Sequence, residues 1–144
     1  MTNFPVQVQQ DDAVIPADID ANTSVTLYTD GRIVVNTSAH EWTDMHGGHV
    51  GVVVLLYQNG SPPFWLWTSN PVRYGLDGKW VGTSQITASF TQTVDPDTMQ
   101  KVDYVAIYHY NAPNDAWTDV QAWVNGAQQS FNAVATIAKS IASL

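Results

Sequence analysis

The chain has no cysteine, a single glutamate (Glu41) and only five lysines and arginines. Without cysteine there is no disulfide, no thiol nucleophile, no iron–sulfur cluster and no thiolate zinc site. Thirteen acids against five bases leave a formal charge of −8, a surface that repels phosphate backbones and anionic headgroups and so argues against nucleic acid or a membrane as partner. No apolar run approaches the length of a membrane span. The opening residues, MTNFPVQVQQDD, lack the basic and apolar segments of a signal peptide, so the expected location is the cytoplasm or an exterior reached by a non-classical route. Catalytic signatures are scarce too. There is no G-x-S-x-G elbow and no phosphate-binding glycine loop, and one glutamate argues against a glycosidase built on a carboxylate pair.

Charged residues make up 12% of the chain, roughly half the usual share of about 25%. The exposed surface must therefore be built largely from Thr, Ser, Asn and Gln, as on sheets with one wet face. At 144 residues the chain is long enough for one domain with its own core. Alternation of apolar and polar residues marks strands at Val6–Val8, at Val25–Leu27 and, most cleanly, where Ile86, Ala88 and Phe90 turn inward against Gln85, Thr87, Ser89 and Thr91. Asp30-Gly31, Asn59-Gly60 and Asp77-Gly78 are hairpin or turn signals. VGVVVLLY, residues 50–57, is a continuous β-branched run and predicts a central strand buried on both faces. In DYVAIYHY, Val105, Ile107 and His109 fall on one face and Tyr104, Ala106, Tyr108 and Tyr110 on the other. The segment DDAVIPADID is expected to form an acidic loop.

After Pro113 the period changes. Asn114 or Asp115 predicts a cap for a helix carrying Trp117, Val120, Trp123 and Val124 and stopping at Gly126. Ser130 predicts a second, amphipathic helix with Phe131, Val134, Ile137, Ile141 and Leu144 on one side. The fold class that follows is mainly β: one antiparallel β-sandwich or jelly-roll-like domain, with strands within about 4–110 and a helical tail over about 115–143.

Aromatic residues crowd the stretch PPFWLWTSNPVRYGLDGKW. Period two predicts that Trp65 and Trp67 share one face of a strand, with Phe64 and Leu66 on the other. Trp65, Trp67, Tyr74 and Trp80, with Asn70 and Asp77 beside them, form the pairing that carbohydrate sites use: flat rings against C–H patches, polar groups against hydroxyls. The turn-flanking Tyr74 and Trp80 are the stronger candidates. A second cluster, HEWTDMHGGH, brings His40, His46 and His49 within ten residues, and converging imidazoles there would make a divalent metal site with hydrolytic potential. Loop aspartates such as Asp11, Asp12, Asp18 and Asp20 could offer oxygens to calcium, but turn formation and helix capping account for Asp95 and Asp115. The Asn-x-Ser/Thr matches at Asn22, Asn36 and Asn59 carry no weight without a secretory signal.

The size, acidity, Thr- and Asn-rich strands and Trp-rich loops are similar to those of small bacterial and fungal β-sandwich lectins, a likeness of architecture and not of motif. The sequence-level expectation is a non-enzymatic module that binds a neutral carbohydrate and needs no cofactor. The alternative from a different class is a homo-oligomer or protein-interaction module using the Trp-rich segment and the C-terminal amphipathic helix.

Overall fold

The computed structural model describes residues 4–14, 19–41, 48–76, 84–112 and 117–143. Among them, two antiparallel sheets face each other. The first contains β1 (Val6–Val14), β2 (Ile19–Leu27), β3 (Arg32–Glu41) and, after three further strands, β7 (Ser84–Thr93), in the order β1-β2-β3-β7. The second is centred on β4 (Gly48–Gln58), flanked on one side by β5 (Phe64–Thr68) and β6 (Val72–Leu76) and on the other by β8 (Tyr104–Ala112), which in turn pairs with β9 (Ala138–Ser140). A four-residue helix α1 (Pro96–Met99) leads into β8, and α2 (Trp117–Gln129) follows it.

The predicted alternations hold. Val6, Val8, Val25, Leu27, Ile33 and Val35 of the first sheet meet Val50, Val52, Val54, Leu56, Val105 and Ile107 of the second in one buried cluster. Each such side chain removed from water is worth roughly 1.5–3 kcal/mol. Strand β4 is buried on both faces as its composition predicts: Val53, Leu55 and Tyr57 point away from the sandwich and under α2, against Val120, Ala127 and Val134. The buried Tyr57 hydroxyl donates to the Ala127 carbonyl at 2.6 Å, and burial pushes its pKa up to about 12, which keeps that proton in place. Trp123 stacks on Tyr108 with ring centroids 3.9 Å apart.

Local chemistry sets the turns. Gly31 takes φ +97° in the Asp30-Gly31 hairpin, with its carbonyl accepting the Val94 N–H at 2.8 Å; a side chain there would meet the Val94 carbonyl. Asp95 caps α1 by accepting the Thr98 N–H, with Pro96 in the first turn. Strands β5 and β6 lie end to end along one edge of β4, broken at Ser69. Ser69 closes the break itself: its N–H donates to the Val54 carbonyl and its Oγ accepts the Val54 N–H, both at 2.8 Å. The two sheets are tied at this edge by Gln92 of β7, whose amide accepts the Asn70 N–H at 3.0 Å and donates to the Asn70 carbonyl at 3.3 Å.

Three sequence-based expectations are corrected. The expected acidic loop is largely strand: Asp11 and Asp12 lie in β1, paired with Asn22 and Ala21, and Asp20 lies in β2. Helix α2 passes through Gly126 to Gln129. A mid-helix glycine costs up to about 1 kcal/mol against alanine, and the burial of Val120 and Ala127 offsets that. The second helix is absent: Ser130 makes no side-chain cap, Phe131–Ala133 is a single 3₁₀ turn, and residues 138–140 form β9. The free edge of β8 is the reason. Its N–H and C=O groups at Tyr104–Ala106 need partners, and β9 supplies them, pairing Ala138 with Ala106 and Ser140 with Tyr104. Of the apolar residues placed on one helical stripe, Val134 is in the cluster under α2 with Phe131 and Ile137 packed against it, Ile141 lies between the sheets, and Leu144 is outside the described residues.

Gly51 on β4 lies against the Tyr110 ring, and a Cβ there would come within 2.0 Å of it. Both groups are buried in a packed layer. Gly51→Ala is expected to destabilise the fold by about 1–3 kcal/mol, read as a lower urea midpoint with an unchanged slope.

Candidate functional site

The Asp30-Gly31 hairpin sets β2 against β3 in a register that matches one tripeptide with itself. Asn22-Thr23-Ser24 and Asn36-Thr37-Ser38 run antiparallel, so that Asn22 faces Ser38, Thr23 faces Thr37 and Ser24 faces Asn36. Alternation then divides the six residues between the two sides of the sheet. The two threonines turn inward and are buried, while the asparagines and serines turn outward.

Inside the sandwich, the threonines end a chain of polar groups that crosses from one sheet to the other. His109 of β8, one position beyond the apolar Val105 and Ile107 on the same face, has its side chain fully buried. Its Nδ1 lies 2.6 Å from Asp12 Oδ2 and its Nε2 2.6 Å from Thr23 Oγ1, which lies 2.8 Å from Thr37 Oγ1. Gln10 donates to the other Asp12 oxygen at 3.1 Å. Burial of the ring holds His109 below its ordinary pKa of 6.5; the Asp12 carboxylate and the more distant Asp11 oppose this and are outweighed. The imidazole is therefore neutral at pH 7; its Nδ1 pairs with the Asp12 carboxylate, and its Nε2 pairs with the Thr23 hydroxyl, which is also bonded to Thr37.

An acid, an imidazole and a hydroxyl in sequence is the arrangement of a nucleophilic triad. Here the hydroxyl is sealed off: Thr23 is 0% exposed between the sheets, so no substrate carbonyl can reach it. What the chain does chemically is satisfy the buried side chains of His109, Thr23 and Thr37 through the part-exposed Asp12 and join β1, β2, β3 and β8.

The outer face of the same strands carries an open groove of about 480 Å³, lined by Asn22, Ser24, Asn36, Thr37 and Ser38 of the paired tripeptides and extended onto β7 by Thr87, Ala88 and Ser89. Every lining side chain is neutral. The Asn22 amide donates to the Asp11 carboxylate at the β1 border, which fixes its orientation. Amides and hydroxyls both give and take hydrogen bonds, so the groove suits a ligand that does the same.

Among the described residues, none of the sequence-predicted site residues lines this groove. Trp65 and Trp67 do not share a face. A bulge between Leu56 and Tyr57 of β4 shifts the register of β5, so that Trp67 pairs with Leu56 and Trp65 with Tyr57, leaving Leu66 as the extra residue. Leu66 and Trp67 then pack together against the sandwich core. Trp65 is 41% exposed and Phe64 57%; the Trp65 indole N–H donates to Thr68 at 2.7 Å. Asn70 is exposed, with its backbone held by Gln92. Tyr74 is placed by its backbone in β6 opposite Val50, but its side chain, like Asp77 and Trp80, lies outside the described residues. Of the metal candidates, His40 is on the outer face of β3, opposite Asp20 and Gln85. The backbone of His49 is in β4 of the other sheet, and the His49 side chain and His46 lie outside the described residues. Among the described residues no three His, Asp or Glu side chains gather as a metal site, and none of the described helices is long and apolar enough to cross a membrane.

Sequence reasoning missed both the buried chain and the groove. The signal for them was present as the repeated Asn-Thr-Ser tripeptide, centred on one hairpin, whose asparagines match glycosylation acceptors. Comparison with protein-family models finds no match, and comparison with curated proteins finds none either.

His109 makes stability depend on pH. Its folded pKa lies below the unfolded value of 6.5, so the unfolded chain binds the proton more readily. Its contribution is intact at neutral pH and is lost as pH falls through 6.5 toward the folded value. Melting temperature is expected to drop over that range, and His109→Gln is expected to flatten the dependence. Thr23→Val, which leaves the buried Nε2 and the Thr37 hydroxyl without this partner, is expected to cost about 1–3 kcal/mol by urea unfolding.

Proposed function

We propose that the protein is a non-enzymatic binding module for a neutral, hydroxyl-rich ligand, and that the ligand is a carbohydrate. The observation that carries this reading is the groove across β2, β3 and β7, about 480 Å³ in volume and lined, among the described residues, by Asn, Ser and Thr side chains with Ala88 and by no ionised side chain. Its size is within the range of small-ligand sites. A sugar presents the same mixed donors and acceptors, so its hydroxyls can both give hydrogen bonds to the lining groups and take them. The charge of −8 favours neutral glycans over anionic ones. The exposed Phe64 and Trp65 rings on β5 belong to the opposite sheet and offer a separate apolar surface.

That second surface supports the other reading, a protein-interaction or assembly module. Exposed Trp and Phe on an edge strand are the kind of residue that dominates interfaces.

Titration calorimetry against a panel of neutral glycans decides between them. Binding with Kd of about 1 mM or tighter, about −4 kcal/mol, is expected for at least one class of sugar, with Asn36→Ala weakening it about tenfold and Trp65→Ala leaving it unchanged. No heat with any glycan, together with a light-scattering mass above the monomer that Trp65→Ala lowers, would replace the carbohydrate reading with assembly.

A further inference from the structure

We propose, resting on the carbohydrate reading, that the ligand is an internal stretch of an extended, neutral polysaccharide laid across the strands, one sugar ring to each of β2, β3 and β7. Register places the groove's side chains in two rows. Ser24, Asn36 and Ser89 stand side by side across the three strands, and Asn22, Ser38 and Thr87 form the next row. Neighbouring strands are about 4.8 Å apart, and same-face residues along one strand about 6.8 Å apart. The lining thus extends further across the strands, about 10 Å over two intervals, than along them.

A pyranose in an extended β-linked chain advances by nearly the interval between strands. A chain crossing at right angles to the strands would present one ring to each, and the two rows would reach the hydroxyls on the ring's opposite edges. A chain running along the strands would meet only two residues of each and leave the third column unused.

The ends of the groove favour a polymer over a single sugar. On the β1 side the polar surface continues, among the described residues, without a wall: Gln9 stands beside Ser24 and Asp11 beside Asn22, and both are exposed. On the other side, β7 is the edge strand of the sheet. A chain can enter at one side and leave at the other. A carboxylate-bearing polymer would run into Asp11, which assigns the site to neutral chains.

The test is calorimetry with cello-, manno-, xylo- and chito-oligosaccharides, from the monosaccharide to the hexasaccharide. In one series, affinity is expected to climb at least about tenfold from one ring to three and then to level off. Asn36→Ala is expected to remove that gain, and Ser89→Trp, at an exposed position, to block the hexasaccharide while circular dichroism and melting temperature stay those of the parent protein. A monosaccharide that binds as tightly as its hexasaccharide, or sugar binding that both groove variants leave intact, overturns the polymer assignment and leaves carbohydrate binding standing. Silence from every neutral glycan overturns both.

Discussion

The pairing of Thr23 with Thr37 is the constraint on which the remaining architecture turns. Two buried hydroxyls that must bond each other and His109 tolerate no slip in register between β2 and β3. A shift by one residue would send the asparagines and serines into the core and the threonines into water. Because the register is held from inside, the outer face receives its two rows of amides and hydroxyls as a consequence. The buried chain and the groove thus share one register, and Thr37 belongs to both.

The same chain holds the two sheets at a fixed offset. Apolar side chains attract without direction, so the Val and Ile layer alone would allow the sheets to slide. Asp12 and His109, bonded 2.6 Å apart across the gap, remove that freedom at one end, and the reciprocal amide bonds of Gln92 with Asn70 remove it at another. Burying such groups is costly unless every one is satisfied. Here each ring nitrogen of the imidazole has a partner, and the carboxylate is tied to Gln10 as well.

Much of the fold was legible in the residues. Strict alternation announced β7 and β8, and the valine run of β4 announced a strand covered on both sides, because those patterns depend only on which way neighbouring side chains point. The site was far less legible. Asp12 reads as a loop residue because aspartate on the inward face of a strand makes sense only beside a histidine 97 positions away. Trp65 and Trp67 read as a pair because a bulge opposite Tyr57 leaves no mark in composition. The tail reads as a helix because its apolar spacing suits one, yet the open edge of β8 took it as a strand.

The amino-acid sequence by itself determined the class of the molecule: a cysteine-free, acidic, β-rich domain with a neutral polar surface, in which local period sets strand from helix. Tertiary structure alone decided which surface is concave and chemically uniform. It did so by bringing two copies of Asn-Thr-Ser face to face and adding β7 from about a third of the chain away. Period reports which side of a strand a residue occupies, but only strand pairing decides which residues become neighbours. Carbohydrate recognition as proposed depends on neighbours, and the groove that supports it is made of the sequence's plainest residues.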